Sequence, residues 1–166
     1  IELLMKQAGI TPQDRLVVPA AMETAEKTGG PAAAIQLEDG SIITGKTSDL
    51  LGASAGLLLN ALKELAGIPH EIHVISPSAI EPIQSLKTDY LGGHNPRLHT
   101  DEVLIALSIS AASNPDAKKA MEQLPRLRGC EVHTSVMLSD VDRKTFKKLG
   151  VNLTCEPKYE SGNLYH

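Results

Sequence analysis

The stretch Gly30–Ser78 reads GPAAAIQLEDGSIITGKTSDLLGASAGLLLNALKELAGIPHEIHVISPS, and its punctuation decides the fold. Ala32–Leu37 and Ile42–Gly45 read as strands on either side of the turn Glu38-Asp39-Gly40-Ser41. An Asp-Gly pair between two such runs is a strong hairpin signal, because glycine enters the left-handed region of a tight turn without a steric penalty. The period then changes. Within Gly52–Ala66 the residues Leu57, Leu58, Ala61, Leu62 and Leu65 recur on one helical face, and Gly67 followed by Pro69 stops the helix. Glu71–Ser76 is predicted to be a strand that ends at Pro77. The order is therefore strand, tight turn, strand, helix, strand.

Toward the N-terminus, Ile1–Ala8 has a helical pattern that Gly9 ends, and Thr11 caps a turn at Thr11-Pro12-Gln13-Asp14. Pro19 is expected at the first position of a helix to about Lys27, with Val18 pushed to extended geometry before it. Gly29-Gly30-Pro31 closes that helix. Toward the C-terminus, a helix is predicted over Ala79–Lys87, then a polar, glycine-rich loop over Thr88–His99. Thr100 is expected to cap the next helix, whose first turn carries Asp101 and Glu102 against the positive end of the helix dipole. Val103, Leu104, Leu107 and Ala111 make its buried stripe. Asn114-Pro115 opens a helix to Leu124, Cys130–Leu138 is read as a strand, and Ser139 with Asp142 is a capping signal for Val141–Leu149. Val151–Cys155 is the last strand. This pattern predicts an α/β fold: a three-layer α-β-α domain with a mixed sheet of about five strands, spanning 1–158, with 159–166 as a flexible tail. The chain opens on Ile1 inside a helical pattern and without an initiator methionine, so it is read as the C-terminal fragment of a longer protein. Its first expected partner is the N-terminal domain of that protein, and a second copy of itself is another.

Composition removes several function classes. The 166 residues hold no Trp, one Phe and three Tyr, so platforms for stacking bases are scarce, and a net charge of −4 does not favour a phosphate backbone. No nucleic-acid partner is expected. No apolar run is long enough to span a bilayer and no signal peptide is recognisable, so no membrane partner is expected and the location is read as cytoplasmic. Cys130 and Cys155 are read as reduced, buried thiols.

Three stretches carry groups that could do chemistry. Gly45-Lys46-Thr47-Ser48 resembles the end of a phosphate loop. The glycine that such a loop needs five residues earlier, Gly40, already serves the hairpin turn, and phosphate loops follow strands of parallel sheets. The plain reading is a loop in which Ser48 or Asp49 caps the next helix. The intermediate one is anion binding at that helix N-terminus. Ser78 follows Pro77 at the next helix start. The densest polar cluster is His94, Asn95, Arg97, His99, Asp101 and Glu102. There Arg97 could hold a carboxylate or phosphate with two parallel hydrogen bonds. His94 or His99 could move a proton near neutral pH, with Asp101 beside them as a further catalytic candidate. The competing reading is a loop pinned by its own hydrogen bonds. Lys46, Thr47, Ser48, Ser78, Asn95 and Arg97 are thus the ligand-binding candidates. His73 and His133 alternate with apolar residues and read as strand histidines with satisfied rings. No metal site and no cofactor are expected.

The helix, hairpin, helix, strand order from Pro19 to about Lys87 resembles cytidine-deaminase-like folds, with Ile75-Ser76-Pro77-Ser78 where those proteins carry Ser/Glu-Pro-Cys. Their zinc chemistry does not carry over. Between Lys46 and Leu59 there is no His, Cys or Glu, and Ser78 and Glu81 stand where the two cysteines would be. The runs Gly45-Lys46-Thr47-Ser48, Ile75-Ser76-Pro77-Ser78, His94–Glu102 and Leu127–His133 resemble the C-terminal part of an uncharacterised bacterial family, a domain of unknown function. Some of its members have been labelled ATP-dependent zinc proteases. No His-Glu-x-x-His motif supports that label here.

Three function classes follow. The first is part of a larger enzyme, binding a nucleotide-like or anionic small molecule without zinc. The second is a non-catalytic interaction or dimerisation domain packing on the N-terminal domain. The third is a regulatory ligand-binding module.

Overall fold

The computed structural model describes residues 15–157. The readings for Ile1–Ala8, Thr11 and the 159–166 tail lie outside them. In chain order the elements are α1 (Val17–Thr28), β1 (Ala32–Gln36), β2 (Ile42–Lys46), α2 (Ala53–Ala66), α3 (Pro77–Ser85), α4 (Thr100–Ser110), α5 (Pro115–Met121), β3 (Glu131–Thr134), α6 (Asp140–Leu149) and β4 (Asn152–Cys155). Four strands form one mixed sheet in the order β2-β1-β3-β4. The β1–β2 hairpin and the β1–β3 pair are antiparallel, and β3–β4 is parallel.

The sheet is covered on both faces, and β1 shows why. Successive side chains of a strand point to opposite sides. Ala33, Ile35 and Leu37 join the main core with Leu57, Leu58 and Leu62 of α2, while Ala34 meets Val17 and Ala21 of α1. Each fully buried leucine of that core contributes about 1.5–3 kcal/mol. The small side chains of Ala32-Ala33-Ala34 let both helical layers come close. The approach is closest where β2 crosses α2. A β-carbon on Gly45 would stand 2.4 Å from the Leu57 nitrogen and 2.8 Å from the Ala53 carbonyl oxygen. The small residues at the start of α2 thus serve a strand.

Several expectations need correction. Glu71–Ser76 is not a strand, so the sheet has four strands among the described residues. Only Val74 and Ile75 are buried there, and Ile72 and His73 face solvent. β1 takes β3 as its second neighbour, which leaves no place for a strand beside it. α1 begins at Val17, before Pro19. A proline is tolerated in a first turn because its missing N–H would have no intrahelical partner there. The strand expected over Cys130–Leu138 stops at Thr134, whose hydroxyl donates to the Val136 carbonyl at 2.7 Å and bends the chain. The helix expected to reach Leu124 ends at Met121, and a 3-10 turn over Leu124–Leu127 follows. Leu86–Tyr90 continues α3 as a π-helical turn, so residues 88–90 are helical where the open loop was expected to begin. No helix among the described residues is long and apolar enough to cross a membrane.

Candidate functional site

Three helices begin around one small cleft beyond the C-terminal end of β3. Leu50 and Leu51 run parallel to Leu98. The Leu98 N–H donates to the Leu50 carbonyl at 3.0 Å and the Gly52 N–H to the Leu98 carbonyl at 3.1 Å, so α2 and α4 start side by side. The Thr100 N–H and hydroxyl both donate to Asp142 Oδ1, at 3.0 and 2.7 Å, which ties the start of α4 to the first turn of α6. Among the groups lining the cleft between these ends are Gly52, Ser54, Arg97, His99, Thr134 and Asp142, and its volume is about 20 Å³. A space of that size holds about one water-sized group.

The helix ends differ in how their orphan N–H groups are met. Every helix start leaves its first N–H groups without intrahelical partners and carries partial positive charge. At α6, Ser139 Oγ accepts from the Asp142 N–H at 3.3 Å. At α4, Glu102 Oε1 accepts from the His99 N–H at 2.8 Å, and His99 is the capping position where Thr100 was expected. At α2 the capping residue is Gly52. No side chain caps this helix and no acid stands in its first turn. Ser54, in that turn, is 4 % exposed, and its Oγ is sealed from solvent without a hydrogen-bond partner.

The charged groups are held in fixed relation to this open end. The Asn95 side chain accepts from the Arg97 N–H at 3.0 Å and shapes the loop. The Arg97 carbonyl accepts from Lys87 Nζ at 2.6 Å, and Lys87 also pairs with Glu102 at 2.8 Å. Arg97 Nε donates to the Ser48 carbonyl at 2.6 Å, and its Nη atoms bond to no other described residue. His99 Nδ1 lies 3.5 Å from Asp142 Oδ2. The hydrogen bond and charge of Asp142 hold the imidazole above its ordinary value against the opposing effect of burial. Burial pushes Asp142 up, but His99 and Thr100 outweigh it and the carboxyl stays below its usual range. Both shifts favour a protonated imidazole beside an ionised carboxylate.

A serine, a histidine and an aspartate around one cleft invite comparison with nucleophilic catalysis. Gly52-Ala53-Ser54-Ala55-Gly56 even has the spacing of a nucleophile elbow. The geometry argues otherwise. Such an elbow is a strained turn that exposes its serine, whereas Ser54 lies inside regular helix and no described non-glycine residue has positive φ. The slot beside its sealed hydroxyl admits one terminal atom, not a carbonyl carbon with its substituents. Hydrogen-bond donors aimed at one small space suit an oxyanion. Among the described residues no three His, Cys, Asp or Glu side chains gather to hold a metal ion.

Of the residues singled out from sequence, Asn95, Arg97 and His99 line this cleft. Ser48 joins it through its carbonyl bond to Arg97. The Thr47 N–H donates to the carbonyl of Pro31, a lining residue, at 3.2 Å. Lys46 ends β2 with an exposed side chain, and β2 pairs with β1 over Ile42–Lys46, so the span from Gly40 to Gly45 is a hairpin turn and a strand and not a phosphate loop. Ser78 bonds to Ser76 at 2.9 Å at the start of α3 and does not line the cleft. His94 is exposed, and Asp101, also exposed, accepts from the Glu102 N–H at 2.8 Å. His133 is a buried strand histidine with Nδ1 on Thr154 at 2.7 Å and Nε2 on Glu156 at 2.9 Å; His73 is in an exposed loop. Sequence reasoning missed Ser54 and Asp142 as members of the site. The signal for Ser54 was a lone hydroxyl in a run of Gly and Ala. Asp142 read fully as a helix-terminal acid.

Comparison with known proteins gives a consistent picture. The family model described as domain of unknown function DUF1846, C-terminal, matches residues 13–165. A UPF0371 protein of Corynebacterium efficiens is 58% identical over 165 residues, covering 99% of this chain and 33% of that protein. A UPF0371 protein of Streptococcus pneumoniae is 51% identical over 165 residues with the same shares. The chain therefore spans about one third of the length of the curated relatives it matches.

Proposed function

We propose that this chain, which belongs to the DUF1846 family as its C-terminal domain, binds the anionic group of a small, nucleotide-like molecule as part of a larger enzyme. The observation that carries this reading is Arg97, held by Ser48 and Asn95 beside the uncapped start of α2, with its Nη atoms unbonded among the described residues. His99 stands in the same cleft, and Asp142 beside it favours its protonated form. The chemistry needs no metal: a guanidinium fork and backbone N–H groups are sufficient donors for a carboxylate or phosphate. The hairpin leading into α2 supports the further reading of a cytidine-deaminase-like layout, and the free thiols of Cys130 and Cys155 support a cytoplasmic location. The test is a thermal-shift titration of the full-length protein with phosphate, nucleoside monophosphates and dicarboxylates. A ligand at a hundred times its dissociation constant adds about 2.7 kcal/mol of stability. Arg97→Ala should remove the shift and keep the fold. If no anion shifts the wild type, the reading is refuted.

A second reading has its own observation. Ile105 and Ile109 are 58% and 69% exposed, one turn apart on α4. That suits a non-catalytic face packed on the remainder of the longer protein, or on a second copy. Crosslinks from this face to the preceding part of the chain would support it, and a solvent-exposed α4 in the full-length protein would refute it.

A further inference from the structure

We infer that the first turn of α2, with the buried Ser54 hydroxyl at its centre, is a socket for one oxygen of an oxyanion, and that Ser54 is the residue that reads that oxygen. The inference rests on the anion-binding reading and names the donor that would make it specific.

Two independent features point to a ligand. The first is the open helix end. Gly52 has ordinary backbone geometry (φ −67°), and a β-carbon there would meet the Leu98 carbonyl oxygen at 3.7 Å, an ordinary contact. A residue with a β-carbon would therefore fit, yet the position leaves the N–H groups without a side-chain cap. The second is the hydroxyl. Ser54 is flanked by Ala53 and Ala55, sits in a helix where alanine is the better former, and buries an oxygen with no partner. Two polar side chains that line the same cleft are engaged elsewhere: the Thr134 hydroxyl donates to the Val136 carbonyl, and Asp142 Oδ1 accepts from Thr100. No hydrogen bond among the described residues accounts for this hydroxyl. An incoming acceptor would account for both features at once. The slot of about 20 Å³ sets the size of what enters. It takes one oxygen, while the remaining oxygens stay outside within reach of Arg97. The chemical class is thus a terminal oxyanion, of a phosphate monoester or of a carboxylate.

The experiment is calorimetric titration of the full-length protein, as wild type, Ser54→Ala, Ser54→Cys and Arg97→Ala, with inorganic phosphate and separately with acetate. The phosphate and acetate arms identify the source of the oxyanion. Ser54→Ala should weaken the preferred anion at least about tenfold, as expected for a lost hydrogen bond to a charged group, without lowering the melting temperature of the unliganded protein. Ser54→Cys, close in size but a poor donor, should weaken it comparably, and it keeps the test decisive if the alanine variant misfolds. In the wild type, saturating anion should slow amide exchange at Ala53–Ala55. If both Ser54 variants bind as the wild type does while Arg97→Ala loses binding, the socket is refuted and the anion-binding reading stands. If the wild type binds neither anion, that reading falls and the socket with it. A lower melting temperature of unliganded Ser54→Ala would show the hydroxyl to be structural and would also overturn the inference.

Discussion

Ser54→Ala should make the unliganded protein more stable while weakening its ligand, and the size of the gain follows from what the hydroxyl lacks. A buried polar group without a partner costs about 1–3 kcal/mol relative to one that is satisfied or replaced by an apolar group. Ser54 Oγ is sealed and unpartnered in α2. Alanine adds up to about 0.5 kcal/mol of helix preference over serine. Removing one oxygen loses some packing, but the adjoining cleft is already open, so little new cavity is made. The net expectation is a gain of about 1–2 kcal/mol. For domains of about 150–250 residues each kcal/mol moves the melting temperature by about 2–4 °C, giving a rise of about 2–8 °C in the transition that includes this domain. With phosphate at a hundred times the wild-type dissociation constant, the wild type should gain about 2.7 kcal/mol. A variant binding tenfold more weakly should gain only about half of that. The two proteins should therefore rank one way in ligand-induced shift and the opposite way in unliganded stability. Differential scanning calorimetry with and without phosphate measures both. A variant that melts lower than the wild type without ligand refutes the reasoning, because it would mean the hydroxyl already has a partner in the folded protein.

Gly45→Ala should destabilise the fold by about 3 kcal/mol or more, since its β-carbon would collide with the backbone of α2 and not with a movable side chain; a urea midpoint close to wild type would refute the close-crossing account. His99 and His133 should give opposite pH dependences. The raised His99 contributes fully below its ordinary value of 6.5 and loses that contribution as pH climbs through the raised folded value, so His99→Gln should cost most at about pH 6 and least in mild alkali. His133 is lowered chiefly by burial, so its contribution holds above 6.5 and is lost as pH falls. Replacing it should flatten the acid limb of stability, measured by urea unfolding between about pH 5 and 8. Anion affinity should fall as pH rises through the His99 titration, and His99→Gln should remove that slope in calorimetry. Phosphate should bind more tightly than acetate, and equal affinities would argue against a cleft that carries more than one positive charge.

The hairpin and α2 were legible because their signals are local. Asp39-Gly40 fixes a turn whatever surrounds it, and the leucines of α2 mark a face by spacing alone. The cap of α6 was legible for the same reason, since Ser139 accepts its hydrogen bond three residues on, whereas the cap of α4 was misplaced by one residue, because Glu102 reaches back to His99 and not to Thr100. The stretch Glu71–Ser76 misled because β-branched residues suit a buried anchor as well as a strand. Strand formation needs a vacant sheet edge, and β3 had taken the one beside β1. The site was half legible. Arg97, Asn95 and His99 share one polar run and arrive together. Ser54 and Asp142 come from distant segments, and only the Leu51–Leu98 pairing and the Thr100–Asp142 bonds bring them to the same cleft. Ser78 and Lys46 stay outside it because α3 and the exposed end of β2 point their polar groups elsewhere.

Charge balance says which oxyanion the cleft suits. The Asp142 carboxylate favours a protonated His99 beside it, and Lys87 pairs with Glu102. Among the described residues that leaves Arg97, with its Nη atoms unbonded, and the uncapped end of α2. One guanidinium contributes a full charge, and a helix start about half of one. The sum, about +1.5, matches a phosphate monoester near neutral pH, which carries about −1.5 to −2, better than a carboxylate with a single negative charge. The whole chain is net negative at −4, so long-range attraction works against an anionic ligand. Affinity must then come from short-range donors in the slot. That is why the sealed hydroxyl of Ser54 weighs more in this argument than the exposed positive charge of Lys46.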